Sequence, residues 1–98
     1  MRTDYLICYD VNTEDLPGRR RLRHVAKACK AYGQRVQYSV FECTLNEMQY
    51  EKLRRRLFDI IDKAADSLRI YRLTGERGWY LEQYGRDLYV DFEEPLVV

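Results

Sequence analysis

The chain has 98 residues, of which 46% are hydrophobic and 34% charged, and its formal net charge is +1. This length suits one domain with a small core, and the hydrophobic content excludes an intrinsically disordered chain. No apolar run reaches the length of a membrane span, and the first twenty residues lack a signal-peptide core, so no contact with a membrane is expected. The three widely spaced cysteines form no CxxC or Cys/His cluster, which argues against zinc and for reduced thiols in a cytoplasmic protein.

Positive charge is concentrated in one part of the chain. Between Leu16 and Phe41 there is no acidic residue at all. The basic residues of this stretch are Arg19, Arg20, Arg21, Arg23, Lys27, Lys30 and Arg35, and His24 lies among them. Such a surface repels itself unless anions bind to it, which favours contact with nucleic acid. A merely solvated helix surface is the alternative. His24 is interpreted either as a phosphate contact or general acid/base or as a plain surface histidine.

The predicted elements begin with a buried strand and a basic helix. Tyr5 to Tyr9 is a short apolar run, typical of a strand buried on both faces. Val11 to Gly18 is predicted to be a polar loop that contains the helix-start signals Asp15 and Pro17. The helix itself is predicted from Arg19 to Tyr32, with Gly33 at the position of a C′ glycine. The apolar stripe predicted for this helix comprises Leu22, Val25, Ala26, Cys29 and Tyr32.

The middle of the chain is rich in β-forming residues. The run 35–45 is long for one strand, so it is either a single strand or a hairpin that turns near Phe41-Glu42. Asn46 and Gln49 predict a capping box at the start of a second helix. The apolar stripe predicted for that helix comprises Tyr50, Leu53, Leu57, Ile60, Ile61 and Ala64.

The last third is predicted to be extended. Ser67 to Leu73 reads as a strand, 74–78 as a turn, and 79–84 and 88–92 as two further short extended segments. The order β, α, β or ββ, α, β predicts an α+β fold, a ferredoxin-like βαββαβ sandwich formed by residues 1–78. The segment 79–98 then supplies an extra C-terminal strand that pairs with a sheet edge of this chain or of a partner.

Asp10 stands out because aspartate is disfavoured inside strands, so it is expected just past the strand end. One interpretation is structural, with the carboxylate bonding backbone amides of the loop that follows. The other is a divalent metal site, since Mg²⁺ keeps several waters and takes only one or two carboxylates. A two-fold dimer would bring two copies of Asp10 towards one cleft, where a metal could act on a phosphodiester.

Four segments of the sequence resemble the CRISPR-associated Cas2 family. They are Tyr9-Asp10-Val11 and the segments 21–27, 32–42 and 66–73, of which 32–42 (Tyr-Gly-Gln-Arg-Val-Gln-Tyr-Ser-Val-Phe-Glu) is the most specific. The likeness spans almost the entire chain. The ending at 91–98 is similar to that of members accompanying I-C CRISPR systems.

The resemblance implies a ferredoxin-like homodimer that serves CRISPR adaptation. Members of this family bind duplex DNA by its backbone and bridge the CRISPR integrase for spacer acquisition. Several are metal-dependent endonucleases, acting on single-stranded RNA or on double-stranded DNA. Mg²⁺ is the implied cofactor, with Mn²⁺ as the alternative. A DNA-binding scaffold without catalysis is the alternative function, and a small-molecule regulatory domain is a third candidate that the charge asymmetry disfavours.

The resemblance also implies roles for individual residues. Asp10 matches the metal-binding aspartate and Tyr9 a nearby functional tyrosine, so both are expected in catalysis. The expected nucleic-acid-binding residues are Arg19, Arg20, Arg21, Arg23, Lys27, Lys30, Arg35, Ser39 and Phe41. The helix arginines are assigned as a group, because the loop before them is longer here than in the family. The expected partner-binding residues are Asp91, Phe92, Glu93, Glu94, Pro95 and Leu96.

Overall fold

The computed structural model describes residues 2–73 and 79–85, with the backbone alone for 79–81 and 83. The elements are β1 (Thr3–Asp10), α1 (Leu16–Lys30), β2 (Gly33–Gln37), β3 (Val40–Leu45), α2 (Glu47–Ile60), β4 (Ser67–Leu73) and β5 (Trp79–Gly85). The strands form one sheet in the order β2-β3-β1-β4-β5, with all neighbours antiparallel. The first four strands therefore have the ferredoxin-like arrangement, and β5 extends the sheet beyond β4, which confirms the predicted fold and the extra strand.

The core lies between the sheet and the two helices. On β1, Tyr5, Ile7 and Tyr9 are buried and alternate with side chains that point to the other face of the sheet. The same alternation places Leu68 and Ile70 of β4 in the core, because they pair with Tyr9 and Ile7. The helices contribute the buried residues Val25, Ala28, Cys29, Tyr50, Leu53 and Leu57. The sheet face opposite the helices, carrying Asp4, Leu6, Cys8 and Asp10 of β1, is here called the open face.

The hairpin between β2 and β3 turns at Tyr38-Ser39, so the predicted turn near Phe41-Glu42 is wrong. Phe41 pairs with Ile7 of β1 and is fully buried, which places it well inside β3. A turn at Phe41 would remove this side chain from the core. Apolar burial thus decides the position of the turn in a run that carries no glycine or asparagine signal.

Gly33 is not a C′ glycine, because α1 ends at Lys30 with Ala31 as its C-cap and Gly33 begins β2. Its φ is not positive, unlike that of Gly85 at +91°. A Cβ atom at Gly33 would lie 2.4 Å from the Cys43 sulfur and 2.4 Å from the Glu42 carbonyl oxygen. Glycine is needed at this position for the close approach of β2 to β3 and not for backbone conformation.

The predicted helix-start signals are confirmed, although α1 begins at Leu16 and not at the predicted Arg19. The Asp15 carboxylate accepts a hydrogen bond from the Gly18 amide at 2.9 Å, with Pro17 in the first turn. Asn46 and Gln49 form the reciprocal capping box of α2. The predicted stripe of α2 runs too far, because the helix ends at Ile60 and Ala64 is exposed outside it. Neither α1 nor α2, the helices of the described residues, is long and apolar enough to cross a membrane.

Candidate metal and nucleic-acid site

Asp10 is the last residue of β1, and its side chain is exposed. Its backbone pairs with Ser67 at the start of β4. Because neighbouring strand residues point to opposite faces, Asp10 lies on the open face while Tyr9 faces the helices. The polypeptide then leaves the sheet through a short loop and enters α1 at the same end of the molecule.

The Asp10 carboxylate has no hydrogen bond or ion pair to any residue of the described ranges 2–73 and 79–85. The amides of the following loop bond to other groups. The Asn12 amide donates to Asp66 Oδ1 at 2.9 Å, and the Glu14 amide donates to Asn12 Oδ1 at 2.9 Å. The structural interpretation, in which the Asp10 carboxylate bonds the backbone amides of this loop, is therefore wrong. Asp66, Asn12 and Asp15 perform that role, which leaves the Asp10 oxygens available for a ligand.

Tyr9 lies in a different environment from Asp10. Only 2% of its surface is exposed, and its ring stacks on Phe41 with 6.2 Å between ring centroids. Burial raises the pKa of Tyr9, and the nearby positive charge of Arg35 partly opposes this rise. The buried Tyr9 hydroxyl has no hydrogen-bond partner of good geometry within the described part of the chain. Tyr9 is thus a neutral phenol separated from Asp10 by the thickness of the sheet.

Most basic residues of α1 lie on its solvent side, and α1 has no acidic residue in its first turn. We call the exposed set Arg19, Arg20, Arg23, Lys27 and Lys30 the α1 basic face. His24 is exposed beside it. Arg19 also donates to the Thr13 carbonyl at 3.3 Å, which ties the face to the loop after β1. The α1 basic face therefore starts at the end of the sheet where Asp10 lies. It is on the helix side of the molecule, whereas Asp10 is on the open face of the sheet.

Arg21 differs from its neighbours because it is half-buried and paired. Its Nε donates to Asp66 Oδ2 at 2.8 Å and its Nη2 donates to Asp66 Oδ1 at 3.3 Å. Asp66 is fully buried, and burial opposes its ionisation. The hydrogen bonds from Arg21 and from the backbone amides of Asp62 and Asn12 outweigh burial and hold the pKa of Asp66 below its usual range.

Arg35, Ser39 and Phe41 form a small group at the edge of the sheet. Arg35 is exposed, and its guanidinium lies over the Phe41 ring at 5.2 Å from the centroid. Phe41 itself is fully buried, so in this conformation a ligand can reach Arg35 but not the Phe41 ring. Ser39 is half-buried, and its carbonyl accepts a hydrogen bond from the Tyr9 amide at 3.1 Å. Of the three residues, only Arg35 thus offers an exposed charge, while Ser39 belongs to the turn and Phe41 to the core.

Asp66 is the residue of this region that sequence reasoning missed. A carboxylate directly before a strand that is buried along most of its length is an unusual choice, and that was the available signal. Its partner Arg21 gave no separate signal, because it lies in a run of three arginines. Only the packing of α1 against the start of β4 distinguishes it from the other two.

The exposed carboxylate of Asp10 is a suitable ligand for a hard divalent cation such as Mg²⁺, because such ions bind carboxylate oxygens and retain several waters. Within residues 2–73 and 79–85 there is no group of three or more His, Cys, Asp or Glu side chains that could hold a metal ion. Within these ranges Asp10 is thus not part of a cluster of carboxylates that could hold a metal ion by itself. The predicted partner-binding residues at 91–96 and the predicted extended segment 88–92 lie outside the described residues.

Comparison with known proteins identifies the family of this chain. The model of the family described as CRISPR associated protein Cas2 matches residues 3–78. A Moorella thermoacetica protein named CRISPR-associated endoribonuclease Cas2 1 is 55% identical over 93 residues, which cover 95% of this chain and 97% of that protein. A Halalkalibacterium halodurans protein named CRISPR-associated endonuclease Cas2 is 49% identical over 92 residues, covering 94% of this chain and 96% of that protein.

A solved structure is similar as well. The crystal structure of Streptococcus pyogenes Cas2 at pH 6.5 matches with a TM-score of 0.67 and 53% identity, over 76% of this chain and 88% of that chain. The sequence matches and the similarity of fold agree, and the chain belongs to the CRISPR-associated protein Cas2 family.

Proposed function

We propose that this Cas2 protein is a cytoplasmic, homodimeric, metal-dependent endonuclease that binds nucleic acid by its phosphates and takes part in CRISPR adaptation. Family membership supports the nuclease class, because its relatives are named endonucleases and endoribonucleases. Cys8, Cys29 and Cys43 are free, which suits a reducing compartment. Burial also raises the pKa of Cys29 to about 12, so this thiol stays protonated and unreactive at neutral pH.

The observation that carries the proposal is the environment of Asp10. Its carboxylate is exposed at the end of a buried strand, and no described residue bonds to it. Two copies of Asp10 facing each other about a two-fold axis would hold a Mg²⁺ or Mn²⁺ ion. The ion would supply the charge stabilisation that cleavage of a phosphodiester needs. Tyr9 would act from the core by supporting β1 and Arg35.

The α1 basic face supports the binding role. Its five exposed cations have no acidic neighbour in the first turn of α1, so phosphates are suitable counter-ions. Arg35 adds a further exposed guanidinium, held in place by the Phe41 ring beneath it. A backbone-directed surface of this kind accepts double-stranded DNA or single-stranded RNA, because phosphate contacts carry no sequence information.

The partner role is the second part of the proposal. The segment 79–98 is proposed to dock the CRISPR integrase subunit, with Asp91 to Leu96 as the contact residues. The strand β5 already lies at a sheet edge, which is the place where a further strand can be added. A scaffold without catalysis would use the same surfaces, so the role of Asp10 separates the two functions.

The test compares the wild type with Asp10→Ala and, as a matched control, Glu14→Gln, which alters an exposed carboxylate of the neighbouring loop. We expect Asp10→Ala to lose cleavage by at least about 100-fold with Mg²⁺ present, because the ion loses its protein ligand. Nucleic-acid affinity and thermal unfolding should stay close to those of the wild type. Cleavage is measured on labelled double-stranded DNA and single-stranded RNA, with and without EDTA.

Each outcome decides between the candidate functions. Residual cleavage by Asp10→Ala equal to that of the wild type would refute the catalytic role. If spacer acquisition in cells survives Asp10→Ala but not the combined change of Arg19, Arg20 and Arg23 to Gln, the cellular role is that of the scaffold. If the wild type shows no salt-sensitive binding of nucleic acid, both functions are excluded.

A further inference from the structure

We propose that Asp66 and Arg21 are positioning residues for Asp10, and that Arg21 is not one of the nucleic-acid contacts. The pair fixes the polypeptide on both sides of the Asp10 carboxylate. This inference rests on the proposed function in so far as Asp10 is the metal ligand. The assignment of Arg21 as a partner of Asp66, and not of phosphate, does not depend on whether the protein cleaves nucleic acid.

Asp66 connects three separate parts of the fold. Its two carboxylate oxygens accept four hydrogen bonds, two from Arg21 of α1, one from the Asn12 amide and one from the Asp62 amide at 2.8 Å. The side chain is fully buried, so no solvent competes for these oxygens. A buried carboxylate that is fully hydrogen-bonded holds its donors in one geometry.

Asp10 lies between two points that Asp66 controls. Across the sheet, Asp10 pairs with Ser67, the residue directly after Asp66. Along the chain, Asn12 follows Asp10 by two residues and donates its amide to Asp66. A Cβ atom at Gly18 would lie 1.9 Å from the Asn12 carbonyl oxygen, so the first turn of α1 also packs directly against this loop. Asp66 therefore fixes the position and direction of the strand end that presents Asp10.

Arg21 is separated from its neighbours by its contacts. Two of its nitrogens bond to the same carboxylate, and only 20% of its side chain is exposed. Arg20 and Arg23 are exposed, and the side chain of neither has a hydrogen bond or ion pair to a described residue. A guanidinium engaged in a two-pronged bond with a buried carboxylate cannot turn to a phosphate without leaving that charge unpaired. Arg21 thus stabilises the fold, whereas Arg20 and Arg23 remain available to bind phosphate.

The first test is the salt dependence of nucleic-acid binding by Arg21→Gln, with Arg20→Gln and Arg23→Gln as matched comparisons. The slope of log K against log salt falls by about 0.9 for each duplex phosphate contact removed. We expect this decrease for Arg20→Gln and Arg23→Gln but the wild-type slope for Arg21→Gln. A decrease for Arg21→Gln equal to that of its neighbours would overturn the proposal, because it would place Arg21 on a phosphate.

The second test is amide hydrogen exchange without metal, which does not depend on activity. In Arg21→Gln the Asn12 and Asp62 amides should exchange about tenfold faster than in the wild type, after correction for global unfolding, since their charged acceptor loses its main partner. The control Glu51→Gln breaks the exposed ion pair of α2, 2.9 Å long, and should leave both amides unchanged. Wild-type exchange at Asn12 in Arg21→Gln would overturn the positioning role.

A second variant covers the case in which Arg21→Gln fails to fold. The double change Arg21→Gln/Asp66→Asn removes both charges, so no buried carboxylate is left unpaired. It should keep the wild-type salt slope and show the faster Asn12 exchange. Where the wild type cleaves, these variants should need about tenfold more Mg²⁺ for half-maximal rate, because Asp10 is less well placed. If the wild type does not cleave, the nuclease proposal fails. The salt dependence of nucleic-acid binding and the amide hydrogen exchange then still decide the role of Arg21.

Discussion

Asp10 and Asp66 lie near each other at one end of the sheet and have opposite environments. The Asp10 carboxylate is exposed and has no hydrogen bond to a described residue, whereas the Asp66 carboxylate is fully buried and accepts four hydrogen bonds. The buried carboxylate is committed to structure, and the exposed one is available to a ligand. At the residue scale, burial and hydrogen bonding thus give these two aspartates different roles.

The lowered pKa of Asp66 predicts how stability depends on pH. Because the folded pKa lies below the value of about 3.9 for an unfolded chain, Asp66 stabilises the fold above that value. The stabilisation is lost as pH falls through the folded pKa. We expect Asp66→Asn to lower the free energy of unfolding by about 3 kcal/mol at pH 7. The difference in stability between this variant and the wild type should become smaller as pH falls from 5 to 2.

Thermal unfolding measured by circular dichroism across this pH range checks the expectation. Glu14→Gln is the control for removal of an exposed carboxylate. A gap between the wild type and Asp66→Asn that is constant over the whole range would show that ionisation of Asp66 does not stabilise the fold.

At the scale of elements, α1 serves both the core and the solvent. Val25, Ala28 and Cys29 pack into the core, and the α1 basic face points outward. The hairpin β2–β3 places Arg35 over Phe41 by pairing the two residues across the strands. The contact between these elements is close at Gly33, where β2 passes the Cys43 side chain.

The close approach at Gly33 predicts the effect of substitution there. Gly33→Ala should cost about 1–3 kcal/mol, because the added methyl group overlaps the Cys43 sulfur and the Glu42 carbonyl oxygen. Gly33→Asn should cost more, since it adds further atoms at the same place. Chemical denaturation measures both. A helix-ending glycine of left-handed conformation would instead tolerate asparagine well, so equal stability of Gly33→Asn and the wild type would contradict the structure.

At the scale of the whole molecule, the described part of the fold presents the exposed Asp10 carboxylate, the proposed metal ligand, at the open face. The core of a 98-residue chain is small, and Leu6, Cys8 and Val40 on the open face are only half-buried. Pairing of two copies would cover such a surface and bring two Asp10 side chains together. The proposed site is therefore a property of the dimer and not of the single chain.

A mixing experiment tests whether the site is shared. We expect a mass of twice 11.9 kDa by light scattering. When equal amounts of wild-type and Asp10→Ala chains are refolded together, a site needing both aspartates should retain about one quarter of the activity, and two independent sites about one half. A monomeric mass, or retention of one half, would refute the shared site.

Much of the fold could be predicted because its signals are local. The capping residues Asp15 and Asn46, the strand 67–73 and the basic face of α1 depend on residues a few positions apart, and all are confirmed. The turn of the hairpin and the role of Gly33 were predicted wrongly. Both depend on contacts between strands, which the local pattern does not contain.

The sequence by itself determined the order of the elements, the concentration of positive charge and the aspartate at the end of β1. Only the tertiary structure decided that Arg21 belongs to Asp66, 45 residues away, and that Phe41 lies beneath Arg35 in the core. It also showed that the cap of the loop after Asp10 is another carboxylate. Helical and strand periodicity assigns a side chain to a face, but the partner it meets there is set by the packing of distant segments.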